Sequence, residues 1–252
     1  FLRAREESGL ISGDEVLTAI QTIQDKANSV LDRAFDVRPQ EELQVVVWDE
    51  GYCAFSPAPR NSTQPSIFHV TNGEQSRVSL PTTVFHEATP GHYFQFAIAR
   101  QFNLPPFREQ TEFDSYLDGW ALYAERLMWE LGAYDDDPYG NLGRLRAELL
   151  RAVRVVTDTG IHAKQWTYEQ AVEYMEQALG SAYEAKRYIG YPAQAVAYYI
   201  GYLKILELRQ HAMDTLGDRF DLKEFHHVLL ANGEMPLAIL EGLVDAYIVS
   251  KL

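Results

Sequence analysis

The sequence predicts a mainly α-helical protein with one small β-sheet, which is an α+β fold. Two observations predict this class. Three short segments rich in β-branched and aromatic residues fall close together, between residues 44 and 70. From Leu80-Pro81 onward, apolar residues recur at the spacing of helices that bury one face.

The first part of the chain is predicted to hold one long helix and the sheet. A helix from about 14 to 35 carries apolar residues at helical spacing, and Asp14 and Glu15 lie near its positive end. Gln44-Val45-Val46-Val47-Trp48 is typical of a strand, and so are residues 52–55 and 66–70. The Pro, Asn and Ser residues between the last two segments favour a loop.

Seven helices are predicted to follow the sheet. The helix that contains His86 runs from about 82 to 102, and Thr167 begins another with a capping box to Gln170. Asn232-Gly233 is predicted to end one helix, and Pro236 suits the first turn of the next. The other helices are expected at about 112–131, at 142–159 with an end at Gly160, and at 192–216, 222–231 and 236–249.

Composition argues against several partners. The formal net charge is -14, whereas nucleic acids and anionic membrane surfaces attract clustered Lys and Arg. Cys53 is the single cysteine, so the chain has no internal disulfide. No apolar run approaches the roughly 20 residues of a membrane-spanning helix, and no signal peptide is visible.

Residues 1–252 are expected to form one domain, because they show no internal repeat, low-complexity tract or linker. The chain opens at Phe1-Leu2-Arg3-Ala4-Arg5, in a helical pattern and without methionine, so a fragment or a processed chain is expected. The compartment therefore stays open between cytoplasm and export. The oligomeric state stays open as well.

The segment from His86 to His92 carries the strongest chemical signal. Neutral imidazoles bind zinc, and an adjacent carboxylate such as Glu87 can take a proton from the attacking water. The usual pattern H-E-x-x-H places both imidazoles on one helix face. Here the second histidine follows after six residues, roughly 240° around a straight helix.

Pro90 and Gly91 are the two extra residues in this segment. Proline removes a backbone donor and glycine tolerates unusual dihedral angles. We therefore expect a helix with a two-residue bulge that returns His92 to the position of the second ligand. The alternative is a core His86 and a loop His92 without a metal ion.

A third zinc ligand is expected on the helix that contains Asp118 and Glu125. These carboxylates are seven residues apart, so both point to the same side of the helix. Gly119 would let another helix approach closely. From spacing alone either carboxylate could be the ligand, and a plain amphipathic helix with two solvated acids is the alternative.

Together these motifs resemble the bacterial DUF885 family, which is grouped with the zincin-type metallopeptidases. The resemblance rests on His86-Glu87-Ala88-Thr89-Pro90-Gly91-His92 followed by Asp118-Gly119-Trp120-Ala121-Leu122-Tyr123-Ala124-Glu125. It continues through Asp158-Thr159-Gly160-Ile161-His162 with Trp166, Tyr191-Pro192-Ala193-Gln194-Ala195-Val196-Ala197-Tyr198, Leu203-Lys204-Ile205, Glu207-Leu208-Arg209 and Phe225-His226. It covers most of the chain from about residue 40 onward. Family members are much longer, so the resemblance implies a catalytic carboxy-terminal part.

The resemblance implies roles for individual residues. His86 and His92 would be the histidine ligands, Glu87 the base, and Asp118 the third ligand, with Glu125 as an alternative or as a supporting residue. Three departures from the family stand out. The family usually has glutamate at position 118, histidine at Tyr93 and glycine at Ala193.

Further catalytic candidates follow from the same resemblance. His162, Arg187 or Tyr198 would donate to the developing oxyanion, an effect that is typically worth roughly 3 kcal/mol for one donor. The alternative for His162 is a capping or core histidine. The strand at 52–55 offers an edge to which an extended peptide could pair, or a buried hairpin strand.

Cys53 is expected to be a packing residue, and the four remaining histidines are expected to be structural or to lie on the surface. These are His69, His211, His226 and His227.

The function expected from the sequence is that of a Zn²⁺-dependent metallopeptidase with a peptide substrate. Two alternatives stay open: a degenerate relative that binds peptides or partners without catalysis, and a metal-dependent hydrolase of non-peptide amides or esters. No nucleic-acid partner and no membrane insertion within this chain are expected.

Overall fold

The computed structural model describes residues 9–59, 63–102, 104–109 and 111–252, and in this part of the chain it is mainly helical. The helical start expected at residues 1–5 lies outside the described residues. The helices are α1 (Asp14–Val30), α2 (Leu80–Glu87), α3 (His92–Ala99), α4 (Asp114–Glu130), α5 (Pro138–Lys164), α6 (Tyr168–Leu179), α7 (Ala185–Gly190), α8 (Gln194–Leu216), α9 (Leu222–Ala231) and α10 (Leu237–Lys251). None of these helices is both long and apolar enough to cross a membrane.

The small sheet has three strands, β2 (Leu43–Trp48), β3 (Ala54–Ser56) and β4 (Ser66–Thr71). Its order is β2-β4-β3, with β2 parallel and β3 antiparallel to the central β4. The three predicted strands are confirmed, although β3 begins two residues later than predicted. A second sheet pairs β1 (Leu10–Ile11) with β5 (Gln75–Ser76) and was not predicted, because strands of two residues show no alternation.

The helix predicted from 82 to 102 is in fact two helices, which corrects the expected two-residue bulge. Helix α2 ends at Glu87 and α3 begins at His92. Pro90 lacks a backbone donor, and the residue before a proline avoids the helical region. Both effects act at the same point, so the helix stops and restarts.

Helix α5 is longer than predicted, because Gly160 does not end it. The helix continues to Lys164, and Gln165 closes it in the left-handed conformation. A Cβ atom on Gly160 would lie 2.3 Å from the Trp166 ring, so this glycine serves close packing instead. The capping box of Thr167 with Gln170 is confirmed at the start of α6.

Two long helices, α4 and α8, cross at a pair of glycines in the core. A Cβ atom on Gly119 would lie 2.6 Å from the Cα of Gly201, and one on Gly201 would lie 1.7 Å from the carbonyl oxygen of Ser115. The predicted role of Gly119 in close helix approach is therefore confirmed. The crossing holds Asp118 on α4 close to the α8 turn that carries Tyr198.

The turn before α8 contains Ala193, at the position where the resemblance implies glycine. Ala193 has φ of 68°, a left-handed conformation that costs a residue with a Cβ roughly 1–2 kcal/mol. Its backbone N–H donates to the buried carboxylate of Asp158, at 3.1 Å from Oδ2. This bond holds the strained residue at the start of the helix, which begins at Gln194 rather than at the predicted residue 192.

We expect Ala193→Gly to raise the free energy of unfolding by about 0.5–1 kcal/mol, because glycine removes the left-handed strain but loses more chain entropy on folding. Urea denaturation measures the change. Ala197→Gly is the matched control within the same helix and should lower stability by about 1 kcal/mol. A loss of stability in Ala193→Gly would contradict this account.

Candidate metal centre

A large cleft of about 1280 Å³ contains the histidine motif. Its lining includes the end of α2, the start of α3, one face of α4, and side chains from α5 and α8. Ala54 and Phe55 of the edge strand β3 border the same space. The predicted catalytic Glu87 lines the cleft as well.

The break between α2 and α3 brings His92 next to His86. The two ring centroids are 4.9 Å apart and the ring planes are nearly perpendicular. A Cβ atom on Gly91 would lie 1.8 Å from the carbonyl oxygen of His86, so only glycine lets the chain turn back this tightly. The indole of Trp120 donates to the carbonyl oxygen of Pro90 at 2.9 Å and fixes the turn.

Asp118 completes a group of three potential metal ligands. Its Oδ1 lies 3.3 Å from Nε2 of His92 and 3.9 Å from Nε2 of His86. One ligand atom from each residue lies within 4.8 Å of the other two. The structure thus brings together the three ligands expected from the sequence, and within the described ranges it is the single such group.

Glu125 lies behind His86 rather than among the three ligand atoms. Its Oε1 is 2.8 Å from Nδ1 of His86, and its Oε2 accepts a hydrogen bond from the Thr82 hydroxyl. A carboxylate only accepts, so Nδ1 of His86 carries a proton, and in the neutral imidazole Nε2, on the side of Asp118, is the nitrogen that can bind a metal ion. Arg151 lies 3.4 Å from the same Oε1.

Burial and charge act in opposite directions on the two carboxylates of α4. Burial would raise the pKa of Asp118, but its hydrogen bond with His92 and the two imidazole charges outweigh this and lower the pKa. Burial would also raise the pKa of Glu125, and the charge of Arg151 together with the His86 hydrogen bond lowers it. Both side chains are therefore held in the anionic form that a metal ligand or its supporting residue requires.

The pKa values of two other groups of the motif, Glu87 and His92, are raised. Burial raises the pKa of Glu87, and the charges of His86 and His92 offset this effect only in part. Burial would lower the pKa of His92, but hydrogen bonding to Asp118 and the charge of Glu87 raise it overall. A buried carboxylate with a raised pKa has the basicity that a proton acceptor needs.

The structure places Tyr198 and Arg187 at the cleft but not His162. The Tyr198 ring stacks on His86 at 6.2 Å, and Arg187 contacts Glu184 of the same lining and Gln194 outside it. His162 is exposed and is not part of this lining. Its Nε2 donates to the carbonyl oxygen of Tyr188 at 2.8 Å.

Sequence reasoning missed two arginines on α5 that line the cleft. Arg151 and Arg154 place their guanidinium carbons 5.8 and 5.0 Å from the centre of the Tyr198 ring. Arg154 also forms a two-fold ion pair with Glu184, at 2.9 and 2.7 Å. The sequence pattern that could have identified them is the spacing of Arg144, Arg151 and Arg154, which places three cations on the same face of the helix.

The four histidines that were predicted to be structural or to lie on the surface do so, and Cys53 lies at the edge of the cleft. His226 is fully buried, its Nδ1 donates to the Ala34 carbonyl oxygen, and burial lowers its pKa to about 3. His69 stacks on Trp48, and His211 and His227 lie near the surface beside carboxylates. Cys53 borders the cleft, where burial raises the pKa of its thiol.

Solved structures that share this fold include the two described next. A protein from Colwellia psychrerythraea, described as a "putative lipoprotein", has 38% identity and a TM-score of 0.88 over 94% of this chain and 43% of that one. A "putative lipoprotein of unknown function" from Shewanella oneidensis has 24% identity and a TM-score of 0.82 over 93% of this chain and 46% of that one.

The chain thus spans less than half of the length of either protein. No curated protein matches it. Residues 2–244 match the family described as "Bacterial protein of unknown function (DUF885)". This match confirms the resemblance in the motifs, and the chain belongs to the DUF885 family.

Proposed function

We propose that this protein is a zincin-like zinc hydrolase, and in particular a metallopeptidase. The observation that carries the proposal is the convergence of two imidazoles and a carboxylate in a large cleft, with a buried glutamate next to them in sequence. Imidazole nitrogen and carboxylate oxygen are the ligands of catalytic zinc sites with three protein ligands.

The residues fit a zinc ion. Zinc bonds of about 2.0–2.2 Å in a tetrahedron separate neighbouring ligand atoms by roughly 3.4 Å. The separation of His92 and Asp118 is 3.3 Å, and that of His86 and Asp118 is 3.9 Å. Small side-chain adjustments would therefore gather all three around one ion. The bond from His86 to Glu125 fixes the imidazole orientation that ligation needs.

The chain's own residues supply the remaining steps of peptide hydrolysis. Bound zinc would act as a Lewis acid that acidifies water and polarises the scissile carbonyl. Glu87 takes the proton from the attacking water and delivers it to the leaving amine. One water is consumed: its hydroxyl oxygen joins the acyl carbon and its proton goes to the amine.

Tyr198 is positioned to stabilise the oxyanion of the tetrahedral intermediate. Burial and the charge of Asp118 raise the pKa of its hydroxyl, so it stays protonated and can donate. Its ring is held by His86 and by the guanidinium of Arg154. A donor fixed in advance in a water-poor site is effective because it needs no reorganisation during the reaction.

The edge strand β3 favours an extended substrate. Among the described residues it pairs with β4 on one side only, and Ala54 and Phe55 border the cleft. The Phe55 ring lies 6.3 Å from the His92 ring, so the strand passes close to the proposed metal ligands. A peptide paired to this edge by backbone hydrogen bonds would lie along the cleft next to Glu87.

Zinc content and turnover together test the proposal. We expect about one equivalent of zinc per chain after dialysis against zinc, and cleavage of a mixed peptide library that a chelator abolishes and added zinc restores. His86→Ala should lose both properties, because it removes a ligand.

Two experimental outcomes would each favour one of the alternative functions over this proposal. Less than about a tenth of an equivalent of zinc, together with peptide binding, would favour the non-catalytic relative. Cleavage of simple esters or non-peptide amides, with every peptide left intact, would favour the other hydrolase.

A further inference from the structure

We infer that Arg151, Arg154 and Arg187 form a pocket for a carboxylate, and that this arginine pocket selects the free C-terminal end of a peptide. The inference rests on the proposed function, because it names the substrate class of the same cleft. It would make the protein an exopeptidase that removes a short unit from the carboxyl end.

The arginine pocket lies close to the proposed metal ligands. All three arginines line the cleft. The guanidinium carbon of Arg154 is 5.0 Å from the Tyr198 ring centre, and the His86 ring is 6.2 Å from that same centre. The guanidinium carbon of Arg154 is therefore no further from the centre of the His86 ring than these two distances added together. An extended chain advances about 3.3–3.6 Å per residue, so the pocket can hold a carboxylate within roughly three residues of the scissile carbonyl.

The arginines outnumber the carboxylates that face them. Glu184 accepts two hydrogen bonds from Arg154 and also lies 3.4 Å from Arg187. Glu125 lies 3.4 Å from Arg151, and its Oε1 is also the partner of His86. Arginine stays protonated in proteins, so three cations meet two anions.

Two further carboxylates of the cleft lining, Asp118 and Glu87, belong to the proposed metal site, where a zinc ion would bring two positive charges. The three arginines and this ion exceed these four carboxylates by one positive charge, in a chain whose formal net charge is -14. This surplus matches a monoanion such as a carboxylate.

Donor groups in the pocket remain available. Nε of Arg151 is buried and has no hydrogen-bond partner among the described residues. The side chain of Arg187 is 38% exposed, and a single oxygen of Glu184 holds its Nη1 at 3.4 Å. A planar carboxylate accepts two parallel N–H bonds from such groups, which is the geometry that arginine favours. A ligand carboxylate would satisfy the buried donor and the surplus charge together.

A different part of the cleft lining carries carboxylates, so the two parts would orient a charged peptide. Glu112, Asp114 and Glu234 border the same space near the start of α4. Burial and the neighbouring carboxylates raise the pKa of Asp114 and bring that of Glu234 to about 7, so Glu234 carries only part of a negative charge at neutral pH. A peptide whose carboxylate lies at the arginines avoids repulsion only if its uncharged or cationic part faces these acids.

Binding to zinc-loaded protein tests the inference without relying on turnover; every sample carries Glu87→Gln to prevent cleavage, and wild type here means the protein with all its arginines unchanged. The probes are tetra-alanine with a free C-terminal carboxylate, its C-terminal amide, and the amide of a peptide with one internal glutamate. Isothermal titration calorimetry should show that the free acid binds about 10- to 100-fold more tightly than the amide. Arg187→Met should abolish this preference and leave amide binding unchanged, whereas Arg187→Lys should retain part of it.

Arg126→Met is the matched control, because this arginine has a similar exposed fraction (37%) and pairs with Glu130 away from the cleft. Equal binding of acid and amide by the wild type would overturn the pocket. Tight binding of the internal glutamate peptide as its amide would overturn the assignment to the chain terminus. If the preference holds in a protein that neither binds zinc nor cleaves peptides, the pocket stands and the proposed hydrolase fails.

Discussion

Replacing Glu87 with glutamine is expected to lower peptide hydrolysis by about 10²–10⁴-fold while zinc content stays the same. Glutamine keeps the size and polarity of the side chain but cannot accept and pass on a proton. The motif ligands His86 and His92 are unchanged, so metal binding should persist. Product formation by mass spectrometry and zinc by elemental analysis, on the same preparation, separate the two effects.

The control for this substitution is Glu176→Gln, which removes an exposed carboxylate on α6 that is not part of the cleft lining. Its turnover should stay close to that of the wild type. A Glu87→Gln protein that cleaves peptides at the wild-type rate would show that the proton acceptor is another group.

The second prediction with a large expected effect is weaker zinc binding when either of the two carboxylates of α4, Asp118 and Glu125, is replaced. Asp118→Ala is expected to remove zinc binding, because it deletes one of three ligands. Glu125→Gln should instead weaken zinc binding by about 10–100-fold, which is typical of a residue that orients a ligand histidine. The reason is positional, since Asp118 faces both Nε2 atoms whereas Glu125 binds Nδ1 of His86.

Competition with a fluorescent zinc chelator measures both affinities, and thermal unfolding with and without zinc reports the linked stabilisation of the folded state. Asp114→Ala is the control on the same helix, one turn from Asp118, and should bind zinc normally. If Glu125→Gln loses more affinity than Asp118→Ala, the assignment of the third ligand is reversed.

Much of the candidate site could be predicted from the sequence, because its potential ligands lie in short motifs that are recognised by residue type and spacing. His86, Glu87, His92 and Asp118 were all named from motifs, and the structure brings the two histidines and Asp118 together. The resemblance implied Asp118 as the third ligand, with Glu125 as the alternative, whereas spacing alone left both open. Both point to one side of α4, and the distances show that Asp118 faces Nε2 of both histidines whereas Glu125 bonds Nδ1 of His86.

Other features could not be predicted because they depend on tertiary contacts. Gly160 has the propensity of a helix end, but the Trp166 ring packs against it and the helix continues. His162, in the last turn of this longer helix, lies outside the cleft lining. The short helix α7, with six residues, is too brief to show periodicity. Arg151 and Arg154 look like ordinary surface cations until Glu184 and Tyr198 are placed beside them.

The glycine contact between α4 and α8 has a consequence for motion. The two helices come closest at these glycines, and contacts such as those of Arg126 with Tyr202 and of Arg209 with Glu130 join them further along, so they move as one packed pair. Asp118 is the neighbour of Gly119, and Tyr198 is three residues from Gly201, roughly 4.5 Å along the axis. Thermal swaying of the helix ends should therefore leave the spacing between this carboxylate and this hydroxyl almost unaltered.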